Sequence, residues 1–181
     1  MRRAGCAMFM GRSILLLVMA MPFFMVSAQA ELGHSLQPDL GTDAPVGYES
    51  VVASDGTGLP AGSGAVTKGK ELYEAQCAAC HGFDGRLRGN ALAGGQGTLA
   101  GTNALKTVGS YWPYATTLFD YIQRAMPYGN EKSLSDDEVY AVTAYVLHIN
   151  GLLEADAQLT AAALLAIKMP NREGFRPASE P

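Results

Sequence analysis

The sequence predicts a small all-α domain set between an irregular N-terminal arm and a C-terminal tail. Three observations point there. Helical apolar spacing recurs three times between residues 66 and 151. Residues 31–65 are rich in Gly, Pro, Ser and Asp, as in Asp55-Gly56-Thr57-Gly58-Leu59-Pro60, which reads as irregular chain. No convincing strand alternation and no internal repeat is present.

The first thirty residues form a segment of their own. Arg2, Arg3 and Arg12 make a basic start, Ile14 to Val26 is apolar and uncharged, and Ser27-Ala28-Gln29-Ala30 fits a signal peptidase site. Residues 1–30 are therefore expected to be a secretory signal cleaved before Glu31. The alternative is an uncleaved anchor, although a spanning helix needs about 20 apolar residues and this run is shorter. Cys6 precedes the apolar run and leaves with it. Cleavage removes three arginines and no acid, which moves the formal charge from −4 to −7. An acidic chain without Lys/Arg clusters does not suit nucleic acid. No later stretch is apolar enough to span a membrane, so a protein exported to the periplasm is expected.

The first helix is expected from about Thr67 to Cys80, with Tyr73, Cys77 and Cys80 on one face. A Gly-rich loop follows, Gly82 to Gly109. It is long for a structureless connection, which suggests that it wraps something. The second helix is expected from Ala115 to Ala125, with Leu118, Ile122 and Ala125 aligned. The third has the clearest start: Ser135-Asp136-Asp137-Glu138 is a capping box, and its acids suit the positive end of the helix dipole. Val139, Val142, Val146 and Ile149 give its apolar face, and Asn150-Gly151 stops it. Residues 152–181 hold one short Ala/Leu-rich segment, Thr160 to Ile167, and a Pro-containing charged tail.

The chemistry sits in Cys77-Ala78-Ala79-Cys80-His81. This is C-x-x-C-H, the attachment pattern of one covalent heme c. Two thiols about one helical turn apart meet the two vinyl groups of a single macrocycle, and the next residue brings an imidazole under the iron. A thioredoxin-type redox pair wants a βαβ context, which is missing here. Export permits a structural disulfide. A zinc site needs about four ligands, whereas only two cysteines remain after cleavage.

The sixth iron ligand is sought among few residues. Six of the eight methionines lie in the signal, leaving Met126 and Met169, each followed by proline. Met126 ends the second helix, and Pro127 releases its thioether into an extended loop. Met126 is the expected distal ligand opposite His81. Met169 is expected in packing or a tail contact, and His148 and His34 are the remaining competitors. His/Met ligation favours ferrous iron and leaves no vacant position, which argues for electron transfer. Trp112, Tyr111, Tyr114 and Tyr128 suit either a heme wall or a plain aromatic core. Arg86 and Arg88 suit either propionates or solvent.

Gly69 to Tyr73, then CAACHG, then Met126-Pro127, then a helix with Ala144-Tyr145, resembles the class I cytochrome c family over residues 66–151. The resemblance implies a fold of three to five helices around one heme, with Gly69 meeting Tyr145. The stretches 55–64, 107–129, 136–151 and 168–175 resemble the single-heme cytochrome subunit of Sox-type sulfane dehydrogenases and sulfite dehydrogenases. That resemblance implies a molybdopterin-containing dehydrogenase subunit as electron donor and a soluble cytochrome c as acceptor. The rivals are a freely diffusing carrier and a heme peroxidase or gas-binding cytochrome with an open sixth site. The domain expectation is 1–30 signal, 31–65 arm, 66–151 cytochrome c domain and 152–181 extension.

Overall fold

The computed structural model describes residues 51–176. The signal segment, His34 and the first part of the arm lie outside the described residues. Six helical segments and one short antiparallel ladder are described: β1 (Ser63–Ala65), α1 (Val66–Gln76), α2 (Ala78–His81), α3 (Val108–Tyr111), α4 (Ala115–Ala125), α5 (Asp136–Ile149), β2 (Gln158–Thr160) and α6 (Ala161–Ala166). The fold is small and mostly helical, as the sequence predicts.

Helix α5 is the centre of the fold. Its start follows the capping box: the Ser135 hydroxyl accepts from the Glu138 amide, and Glu138 Oε2 accepts from the Ser135 amide at 2.9 Å. Nine of its residues, Val139 to Leu147, are buried, because α1, α3, α4, β1 and β2 all pack against it. Helix α1 crosses it at Gly69. A Cβ at Gly69 would collide with the Ala141 carbonyl oxygen and lie 3.0 Å from Tyr145 Cβ, so only glycine lets the two backbones meet. Tyr73, one turn on, packs its ring 5.0 Å from that of Tyr145.

Two elements differ from the sequence reading. The first helix does not run unbroken to Cys80. It ends at Gln76, with Cys77 as its C-cap at φ −117 and ψ −35, and a separate turn, α2, carries the second cysteine and the histidine. The β1–β2 ladder, with Ser63 opposite Thr160, Gly64 opposite Leu159 and Ala65 opposite Gln158, was not expected. It joins the end of the arm to the start of the extension. Gly64 is pressed against the Ala141 backbone there.

Helix α4 has the bounds that its apolar spacing predicts. Asp120, on its inner side, is buried and accepts from the Val52 amide at 2.9 Å and from Arg124 Nε at 3.0 Å, with Arg124 Nη2 on its other oxygen. This ties the described part of the arm to the helix that ends at Met126. Residues 82–107 contain no helix or strand, and α3 interrupts the expected loop at its end. A capping box of Thr107 and Ser110 starts α3.

Candidate heme site

A cavity of about 590 Å³ opens between α2, α4, α5 and the Gly-rich loop. Its size is that of a cofactor site. Leu92, Val108, Leu118, Ile122, Val142 and Val146 supply apolar wall. Cys77, Cys80, His81 and Met126 all line it. The structure thus brings together the four residues that the sequence singled out, from two regions more than forty positions apart.

The thiols of Cys77 and Cys80 are free. Cys80 is exposed, while Cys77 is half-buried. Burial, with the neighbouring Cys80 as a second cause, pushes the Cys77 thiol up to about 11, so it is protonated at neutral pH. The backbone holds the turn: the amides of Cys80 and His81 both donate to the Cys77 carbonyl, at 3.1 and 3.0 Å. Tyr73, on the last full turn of α1, donates its hydroxyl to the Gly82 carbonyl at 2.9 Å. Burial raises that phenol above its ordinary value, so it acts only as a neutral donor.

His81 Nδ1 lies 2.8 Å from the Asn90 carbonyl oxygen. A carbonyl only accepts, so Nδ1 carries the proton and Nε2 is left as the free lone pair, the arrangement that orients a ligating imidazole. Met126 caps α4 in extended conformation, φ −126 and ψ 152, with its amide on the Ile122 carbonyl at 3.1 Å. Pro127 follows and cannot continue the helix.

The competitors fall elsewhere. Met169 is 3% exposed within the hydrophobic core and does not line the cavity. His148 holds its Nδ1 on the Leu153 carbonyl at 2.9 Å, also outside the cavity. Arg86 and Arg88 are exposed and line none of it. Of the aromatic cluster, Trp112 and Tyr128 line the cavity, and Tyr111 and Tyr114 do not. Tyr121, which the sequence reading passed over, also lines it and meets Trp112 edge-on at 5.9 Å. Its place in the i, i+3 row with Leu118 was the available signal.

The donor set fits heme c. Two cysteines outside any disulfide, one imidazole oriented through Nδ1 and one thioether line the cavity together, and most of the remaining lining is apolar. A small helical domain whose C-x-x-C-H turn faces such a cavity is the architecture of a heme-carrying domain.

A model of the cytochrome c family matches residues 66–150. A chain in the crystal structure of the sulfane dehydrogenase SoxCD from Paracoccus pantotrophus matches with a TM-score of 0.72 and 42% identity, over 77% of this chain and 70% of that one. A thiosulfate dehydrogenase of Stutzerimonas stutzeri is 36% identical over 110 residues, which is 59% of this chain and 35% of the relative. A thiosulfate dehydrogenase of Allochromatium vinosum is 38% identical over 82 residues, covering 44% of this chain and 29% of the relative. The chain spans about a third of the length of these two curated relatives. It belongs to the cytochrome c family, as a class I c-type cytochrome related to the Sox-type enzymes of sulfur-compound oxidation. Membership implies covalently bound heme c. Among the described residues no helix is long and apolar enough to cross a membrane.

Proposed function

We propose that this chain is a one-heme electron-transfer subunit of a sulfur-compound dehydrogenase, acting in the periplasm after removal of residues 1–30. It takes electrons from a molybdopterin-containing subunit that oxidises sulfite or a sulfane sulfur, and it passes them to a soluble cytochrome c. One observation carries the reading: His81 and Met126 line one apolar cavity together with both cysteines of the attachment motif. The single C-x-x-C-H of the sequence supports one heme. The likeness to a SoxCD chain, at 42% identity over 77% of this chain, supports the sulfur-oxidising partner.

In this reading Cys77 and Cys80 would hold the macrocycle through thioethers, and His81 and Met126 would be the residues that ligate its iron. Bound there, the heme would supply a one-electron redox site, which suits electron transfer rather than chemistry on a small molecule. The chain's own residues do the rest. The Asn90 carbonyl fixes the His81 tautomer. The end of α4 and Pro127 fix where the Met126 thioether lies. Val142 and Val146 of α5, with Leu118 and Ile122 of α4, exclude water from the interior. The exposed side of Cys80 marks the edge by which electrons reach a partner.

The test is purification of the native protein, followed by reduction with sulfite and with a sulfane-sulfur donor. A stable complex containing a molybdenum subunit, with this heme reduced on adding substrate, is the expected result. A solitary monomer reduced only by other redox proteins supports the freely diffusing carrier instead.

A further inference from the structure

The tail beyond residue 167 lies outside the stretch matched by the cytochrome c family model, 66–150, and contributes nothing to the cavity lining. It is nevertheless held at four points. Met169 is buried in the core at 3% exposure. Asn171 Nδ2 donates to the Tyr111 carbonyl at 2.7 Å. The Arg172 guanidinium sits over the Tyr114 ring, 4.1 Å from its centroid. Phe175 meets the Tyr111 ring edge-on at 5.2 Å.

The last three of these contacts converge on one tetrapeptide. Tyr111 is the last residue of α3, and Tyr114 is the N-cap of α4. Between them stand only Trp112 and Pro113, and Trp112 is in the cavity wall. The Tyr111 carbonyl is one of the acceptors that a helix end leaves without an internal partner, and Asn171 supplies the donor. A helix of four residues does not hold its geometry alone, so this external donor matters. Pro113 restricts Trp112 to extended backbone, found at φ −70 and ψ 132. With that link stiff, the orientation of the Tyr111 peptide and of the Tyr114 ring decides where the indole lies. The tail grips both.

We propose that residues 169–175 form a strap that positions Trp112 in the wall of the heme cavity and so limits entry of water and small ligands. The proposal rests on the heme occupying this cavity. Trp112 acts as a lid held from behind, with its free edge on Tyr121. The strap touches Tyr111 and Tyr114 on either side of Trp112 and lines none of the cavity, which makes Asn171 and Arg172 positioning residues.

Trp112 is the single tryptophan of the chain, so its emission reports on this wall alone. Energy transfer to heme falls steeply with distance, and an indole held against it emits weakly. The experiment compares the heme-loaded wild type with Asn171→Ala/Arg172→Ala, with Arg172→Lys, which keeps a cation over Tyr114, and with Glu173→Ala as control. Tryptophan emission and the rate of imidazole binding to the ferric protein are read, with covalent heme content measured alongside. The double variant is expected to show several-fold higher emission and several-fold faster imidazole binding at equal heme content. Arg172→Lys and Glu173→Ala are expected to stay near wild type. Wild-type emission and binding in the double variant overturn the strap, whether or not its thermal midpoint falls. If the double variant loses its heme, Phe175→Ala, which removes one half-exposed ring, is read by the same two assays and the same criteria. An unquenched Trp112 in the heme-loaded wild type overturns the placement of the heme in this cavity, and the strap's role with it. Equal quenching in wild type and variant overturns the strap alone.

Discussion

Replacing Gly69 with alanine sets two effects of opposite sign against each other. Gly69 lies inside α1, and a glycine in a helix interior costs about 0.5–1 kcal/mol relative to alanine. On local propensity alone the variant should be more stable. The structure opposes this: the new methyl would collide with the Ala141 carbonyl oxygen of α5 and press on Tyr145 Cβ at 3.0 Å. The obstacle is main chain in the middle of a buried helix, so no rotamer change relieves it. The crossing must open, which loosens the Tyr73–Tyr145 ring contact as well. Overpacking of this kind costs about 1–3 kcal/mol, and a contact with main chain belongs at the upper end. The net expectation is a loss of about 1–2 kcal/mol after the propensity gain is subtracted. Guanidinium unfolding of the heme-loaded protein measures it as a lower midpoint at unchanged slope. A midpoint equal to or above wild type would refute the close crossing of α1 and α5.

Three further outcomes follow from particular contacts. Asn150→Ala removes the donor to the Leu92 carbonyl at 3.1 Å and to the Val146 carbonyl at 2.9 Å. It should cost about 1 kcal/mol, because two side-chain hydrogen bonds are lost while the Leu92 carbonyl keeps the Val108 amide at 3.2 Å, with faster amide exchange in residues 90–96. Tyr73→Phe removes one of two donors to the Gly82 carbonyl, leaving the Gly85 amide at 3.1 Å, and should cost about 0.5–1 kcal/mol in denaturant unfolding. Glu138→Gln tests the capping box. The Ser135 amide and hydroxyl hold the Glu138 carboxyl below its ordinary value, so its stabilisation is present above the unfolded glutamate range and is lost as pH falls through the folded one. Wild type should exceed the variant at neutral pH by about 0.3–1 kcal/mol, as for an exposed carboxylate at a helix start, and the gap should close on acidification.

The parts legible in the sequence are those with local signals. Helix α5 announces itself through a capping box and a four-residue apolar row, and α4 through its row and Pro127. The C-x-x-C-H turn carries its own chemistry. What escaped was non-local or very short. Strands β1 and β2 have three residues each and pair across more than ninety positions, so neither shows alternation. The break at Cys77 lies in a stretch whose apolar spacing continues straight through it. The strap contacts join Asn171 and Phe175 to Tyr111 about sixty residues away, through one carbonyl and one ring edge, which leave no periodicity to read. In the sequence, Met126 and Met169 differ only in place: one at the end of the second expected helix, the other in the tail beyond the third. Both precede proline, and only the packing separates a thioether in the cavity wall from one sealed in the core.

The most direct measurement of the heme site is the near-infrared charge-transfer band of methionine-ligated ferric heme, recorded on wild type, Met126→Leu and Met169→Leu. The band should be present in wild type, absent in Met126→Leu and retained in Met169→Leu, with covalent heme unchanged in all three. A band that survives in Met126→Leu, or disappears in Met169→Leu, contradicts the assignment of His81 and Met126 as the axial pair.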